Sequence, residues 1–200
     1  MMTHRFLFMA TLLLPLSISA ASQAQNSNSL QQLLTTQACV RCDLRNVDLH
    51  GANLQGFDLQ YANLQGANLS GADLRKANLI GTSLRYTDLR RVDFREATFG
   101  GNYFSKANLS QANLSGTNLR WSNFVQANLS GADLTGASLQ KTDLTQANLT
   151  NTNFNGANLS GAKLYQAKLT GSNLTETIMV STVMPDGSVN RSGVGISIMR

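Results

Sequence analysis

The sequence predicts an all-β solenoid, a chain that bends after every five residues and stacks coil upon coil, and three observations predict it. From residue 44 to residue 174 every fifth residue is Leu or Phe, 27 positions without interruption, and no Leu in that span falls out of phase. The residue two before each centre is Ala in 15 cases and Thr or Ser in seven, and the residue directly before is Asn or Asp in 21. Twelve of the 16 Gly stand two residues after a centre. Repetition of this kind decides the fold ahead of local propensity. An α-helix turns about 100° per residue, so a step of five scatters the Leu side chains around the cylinder. A flat strand alternates with period two, so the same step throws successive Leu onto opposite faces. What remains is a series of short extended pieces joined by bends, each pointing its small residue and its Leu or Phe inward and the other three residues outward.

Composition bounds the rest. With 200 residues, 42% hydrophobic and 14% charged, the chain fits one ordinary domain and neither a collagen nor a charge-driven disordered polymer. The net charge of +5 contains no run of like charges longer than Arg90-Arg91, which argues against a polybasic arm. Residues 1–24 read as a signal peptide: Arg5 supplies early charge, residues 6–16 form an apolar stretch too short to span a bilayer, and Ser22-Gln23-Ala24 offers a small-x-small cleavage pattern. Cleavage there leaves no membrane span, removes His4, and leaves His50 as the one imidazole, which disfavours histidine catalysis and metal binding.

Units such as Ala52-Asn53-Leu54-Gln55-Gly56, Ala67-Asn68-Leu69-Ser70-Gly71 and Ala132-Asp133-Leu134-Thr135-Gly136 resemble the A-[DN]-L-x-x repeats of the pentapeptide-repeat family. The resemblance implies a right-handed quadrilateral β-helix of about seven coils, each of four repeats, filling residues 42–186. Residues 30–44 also resemble the beginnings of exported cyanobacterial members.

Solenoid ends need caps. Residues 25–41 are expected to hold a short N-terminal capping helix, with Ser29 and Gln32 as a capping box and Leu30, Leu33, Leu34 and Ala38 on one face. Pro185-Asp186-Gly187 is a turn signal, and residues 187–200 are expected to form a flexible tail. Within the coil, Asn102 occupies a small-residue slot, where an amide ladder with Thr82 and Ser122 at 20-residue spacing is expected. Cys39 and Cys42 form a local disulfide in an oxidising compartment, with two free buried thiols as the alternative. Haem attachment would need His where Asp43 stands, and zinc would lack a complete ligand set.

Function falls to the surface. Arg75, Arg90, Arg91 and Arg95, with Trp121 and Tyr86 as neighbours, form a candidate patch for an acidic partner. Basic residues alternate with acids and no platform of exposed aromatics is evident, so no nucleic-acid partner is expected. Some members of the family inhibit DNA gyrase by imitating DNA, but such a mimic needs an acidic surface, and this chain is basic. No cofactor is indicated, and recurrent outward Asp residues on a convex prism do not build an enzyme site. The expected protein is a non-catalytic scaffold of the periplasm or thylakoid lumen, bound to an unidentified protein partner. Mass spectrometry of the protein from its native cells is expected to find Gln25 at the amino terminus, recovered outside the cytoplasm; an intact Met1 in the cytoplasm contradicts the export reading.

Overall fold

The computed structural model describes residues 20–193. Of the expected leader, residues 1–19 lie outside the described residues. Through the coil the backbone repeats one local device. Nearly every centre's carbonyl accepts a hydrogen bond from the N–H three residues on, as in Ala62 N to Leu59 O at 3.1 Å and Ala67 N to Leu64 O at 3.0 Å. The residue two after the centre has positive φ, as the third residue of a type II turn does, which is why Gly collects there. Of the 18 non-Gly residues with positive φ, all but Gln37 hold this same corner, from Arg41 at 58° to Ser181 at 56°.

A corner every five residues closes a four-sided coil, and parallel bridges join each extended piece to the residue 20 further on, from Ala38 with Asp58 to Lys163 with Val183. Along the ladder Leu44 N donates to Asn63 O at 2.8 Å, and Asn63 N reaches back to Cys42 O at 2.9 Å. We number the faces by their first centres: Leu44 opens the first, Leu49 the second, Leu54 the third and Leu59 the fourth, each recurring every 20 residues.

Every centre from Leu44 to Leu164 is buried, each contributing a gross hydrophobic gain of about 1.5–3 kcal/mol, most of it offset by chain ordering. The small slots from Ala62 to Ala167 are buried too, and their threonines are satisfied by backbone: Thr82 Oγ1 donates to Leu59 O at 2.9 Å, Thr87 to Leu64 O at 3.0 Å and Thr152 to Leu129 O at 2.8 Å. Asn or Asp before a centre accepts the N–H two residues on, as Asn53 Oδ1 does from Gln55 at 3.1 Å, so the side chain closes an Asx turn over each bend.

One bridge is missing among the described residues, between Thr98 and Asn118. Elsewhere on the fourth face Asp58 and Asn78 supply the Asx bond to Gln60 and Ile80. Thr98 has no such side chain, and Gly100 N–H turns to Asn102 Oδ1 at 2.8 Å. The Asn102 amide donates onward to the carbonyls of Leu79 and Thr82. Backbone groups are thus its partners, in place of the expected side-chain ladder: the Thr82 hydroxyl is engaged with Leu59, and Ser122 Oγ is buried with no partner among the described residues. Phe94, Phe99 and Phe104 follow one another here with centroids 5.5 and 5.9 Å apart, and Phe104 stacks on Phe124 at 4.5 Å.

Both ends differ from expectation. Helix α1 spans Ala20–Thr36, so Ser29 lies inside it and cannot be its N-cap. Leu33 is buried against the coil and Leu30 packs beside it, whereas Leu34, one helical step of about 100° further round, is half exposed. Gln37 turns left-handed at φ 57° and closes α1 with a 3.0 Å bond to Leu33 O. Ala38 then already pairs with Asp58, so the ladder begins before residue 42. At the other end residues 187–193 are structured: β1 (Thr182–Val183) pairs antiparallel with β2 (Val189–Asn190). The chain reverses through Pro185-Asp186-Gly187, and Asp186 Oδ1 accepts Ser188 N–H at 2.9 Å. Ser181 N finds Asn190 O at 2.9 Å and Met179 N finds Gly193 O at 3.3 Å, acceptors that another coil would otherwise have to provide. Residues 194–200 of the expected tail lie outside the described residues.

Replacing Asn102 by Ala takes the side-chain partner from the Gly100 N–H and from the buried Thr82 carbonyl, while Leu79 O keeps the Thr82 N–H, and chemical denaturation is expected to show a loss of about 1–3 kcal/mol. An unchanged midpoint would remove Asn102 from the list of structural keystones.

Candidate functional site

Each repeat presents three outward residues, one on the flat before the centre and two at the corner after it. The arginines of the expected patch are all corner residues. Arg75 and Arg95 stand between the third and fourth faces, Arg90 and Arg91 between the second and third, so the structure sets them on adjacent corners with the third face between. Trp121 is not among them. It follows Arg91 by 30 residues, one and a half coils, and stands on the diagonally opposite corner. Tyr86 occupies the corner between the first and second faces.

The patch is also largely neutralised. Arg75, Arg90 and Arg95 each fold back onto the Asp two residues before, Asp73, Asp88 and Asp93, at 2.6 Å in every case. Arg75 Nε lies 3.8 Å from Asp93 as well, tying neighbouring coils, and Lys76 lies 3.8 Å from Glu96. In each fork the side-chain hydrogen bond from arginine holds the carboxyl below the usual carboxylate range, partial burial working against it. Asp43 is lowered in the same way by Arg45. These are surface pairs of small individual worth. Arg91 alone of the four makes no ion pair with a described residue.

Sequence reasoning missed a second grouping. Tyr61, Tyr86, Tyr103, Trp121 and Tyr165 are all exposed, Trp121 most at 63%. All five lie on the first face or its two flanking corners, so the exposed aromatics that the linear sequence did not reveal are gathered on one side. Sorting residues by their place in the 20-residue coil would have found them. Four of the rings carry a cation: Arg41 over Tyr61 at 5.4 Å, Arg85 over Tyr103 at 4.9 Å, Lys106 over Tyr86 at 5.4 Å and Lys141 over Trp121 at 4.2 Å.

Cys39 falls in the phase of a centre on the fourth face and Cys42 in the next small slot. Both therefore point inward, and they are disulfide-bonded with Cα atoms 5.3 Å apart. His50 Nδ1 sits 2.9 Å from Ser70 Oγ on the second coil. Among the described residues no three His, Cys, Asp or Glu are grouped to hold a metal ion.

Five residues to a corner, 20 to a coil, with a small residue and a Leu or Phe inward, define a β-solenoid of five-residue repeats. The description "Pentapeptide repeats" matches in eight copies, over residues 42–79, 62–101, 72–111, 103–140, 112–151 and 137–175. The chain belongs to the pentapeptide-repeat family. Among solved structures, QnrB1, a plasmid-mediated fluoroquinolone resistance protein, is similar in fold over 79% of this chain and 81% of its own, with 20% identity and a TM-score of 0.53. HetL, a pentapeptide repeat protein involved in heterocyst differentiation regulation in the cyanobacterium Nostoc, matches 80% of this chain and 97% of its own at 28% identity and a TM-score of 0.32. A pentapeptide repeat protein of the Arabidopsis thaliana thylakoid lumen matches 61% of this chain and 71% of its own at 31% identity and a TM-score of 0.36. No curated protein matches the chain.

The Asp–Arg forks set a pH dependence. Because the folded carboxyls titrate below their unfolded value of about 3.9, their stabilisation is complete above that value and is lost as pH falls through the folded one. The melting temperature is expected to hold from pH 7 to about 5 and to decline gently below about 4. Asp88→Asn with Asp93→Asn, which keeps an acceptor for the turn N–H, is expected to flatten part of that decline.

Proposed function

We propose that the protein is an exported, non-catalytic scaffold that holds a protein partner on its flat faces, in the periplasm or the thylakoid lumen, as a right-handed stack of about seven coils. The observation that carries this reading is the fate of the acids. Every Asp of the chain accepts the backbone N–H two residues on, so these carboxylates serve the turns that build the coil. A general acid or base needs a carboxyl within reach of a substrate proton, and groups locked in repeating turns on a convex surface are poorly placed for it. What the arrangement offers instead is a rigid lattice of outward side chains, spaced about 4.8 Å apart along the stack, suited to matching another surface. Bonded Cys39 and Cys42 fit an oxidising compartment, as does the leader-like start. No helix among the described residues is long and apolar enough to cross a membrane. A DNA-mimic reading would need an acidic surface, against a net charge of +5.

The mature chain, residues 25–200, immobilised and challenged with extract of the exported compartment, is expected to retain one protein in stoichiometric amount that also co-fractionates with it in cells. Inhibition of gyrase supercoiling by the same material would install the mimic reading in its place, and metal-dependent turnover of a substrate would install an enzyme.

A further inference from the structure

The first face differs from the other three in charge as well as in its rings. With its two corners it carries seven Lys and Arg, among them Arg41, Arg85, Arg120 and Lys141, against three carboxylates, Asp43, Asp143 and Asp186, a net of +4. The rest of the coil surface carries six cations against eight carboxylates. All four Tyr and the single Trp of the sequence belong to the basic side. The coil is therefore a prism with one electropositive, aromatic-edged face and a slightly acidic remainder.

The cations beside the rings narrow what this face can hold. Arg41, Lys106 and Lys141 are each 20 residues from the ring they cover, directly along the stack from Tyr61, Tyr86 and Trp121. A cation so placed meets the negative face of the ring quadrupole and keeps positive charge beside each of these rings. Cations and tyrosine hydroxyls thus bring positive charge and hydrogen-bond donors to this side of the coil. The complement is a surface of acceptor-only, planar anions, which describes the carboxylates of Asp and Glu. Nucleobases need open ring faces for stacking, and four of the five rings already have a cation of the protein over one face.

We propose that the first face, edged by Trp121, Lys141, Arg120 and Arg85, is the docking surface of this protein and that its occupant is a carboxylate-rich segment of a partner protein. The proposal rests on the scaffold reading and moves the binding surface away from the corner of Arg90 and Arg91. Trp121, the only tryptophan, reports on it directly.

The test titrates the mature chain with fluorescent poly-L-glutamate at low salt, following anisotropy and Trp121 emission. Saturable binding that perturbs Trp121 is expected. It should weaken about ten-fold or more in Arg120→Glu with Lys141→Glu and remain within about two-fold of wild type in Arg90→Glu with Arg91→Glu. Arg120→Gln with Lys141→Gln, which adds no acid, should fall between, and circular dichroism melts verify that each variant is folded. Equal losses from both corners, no binding, or tighter binding of oligo-dT or phosphatidylglycerol vesicles at equal anionic charge would each overturn the proposal. Retention of the native partner by the Arg120→Glu, Lys141→Glu variant would overturn the face alone. Intact poly-glutamate binding without any native partner would overturn the scaffold reading alone.

Discussion

The left-handed corner two residues after each buried Leu or Phe is the constraint on which the rest depends. It turns the chain by one side of the coil, and because it recurs at a fixed interval the ladder register, the core and the outward lattice all follow. A residue inserted or deleted anywhere would shift every later centre off its face. The corner is costly for most side chains, and Gly relieves only part of it: bulky residues such as Tyr61, Tyr86 and Trp121 stand there as well. Their presence at a strained site, on one side of the prism, is consistent with a surface shaped for contact and not for ease of folding alone.

The coil was legible in the linear sequence because its signal is periodic and redundant. The inward slots, the Asx position and the glycine corner could each be read from spacing, and Leu44 through Leu164 occupy the interior as that spacing requires. The ends were less legible. Helix α1 is not capped by the residue that suggested it, since Ser29 is interior, and its C-terminal stop is a left-handed Gln37 that no propensity singles out. The β1–β2 pairing depends on a chain reversal that brings Val189 to Val183, a contact invisible to five-residue phasing.

For the surface the lesson is different. Arg75 to Arg95 looked like a site because six basic residues are close in sequence, yet a coil distributes neighbours over four sides and pairs them with local acids. Residues far apart in sequence, Arg41 and Lys163 for example, share a side because they differ by nearly whole coils. Charge proximity along a solenoid sequence is therefore a poor guide to charge proximity in space, and coil position is the better coordinate. Asn102 shows a related shift in the interior: Thr82, one coil away at the same slot, is a partner as the spacing suggests, but through its backbone carbonyl, and the bend beside Asn102 supplies the Gly100 N–H.

The reversal at the C-terminus has a consequence for growth. A stack of parallel coils is in principle a polymerisation template, each finished coil offering donors and acceptors in the register that the next molecule's coil could extend. Here Met179 and Ser181 have their N–H groups engaged by residues of the same chain running in the opposite direction. An incoming coil of matching polarity meets a strand of the wrong sense on that side of the prism. On that side the end of the stack is closed by chain direction, without any need for a charged guard.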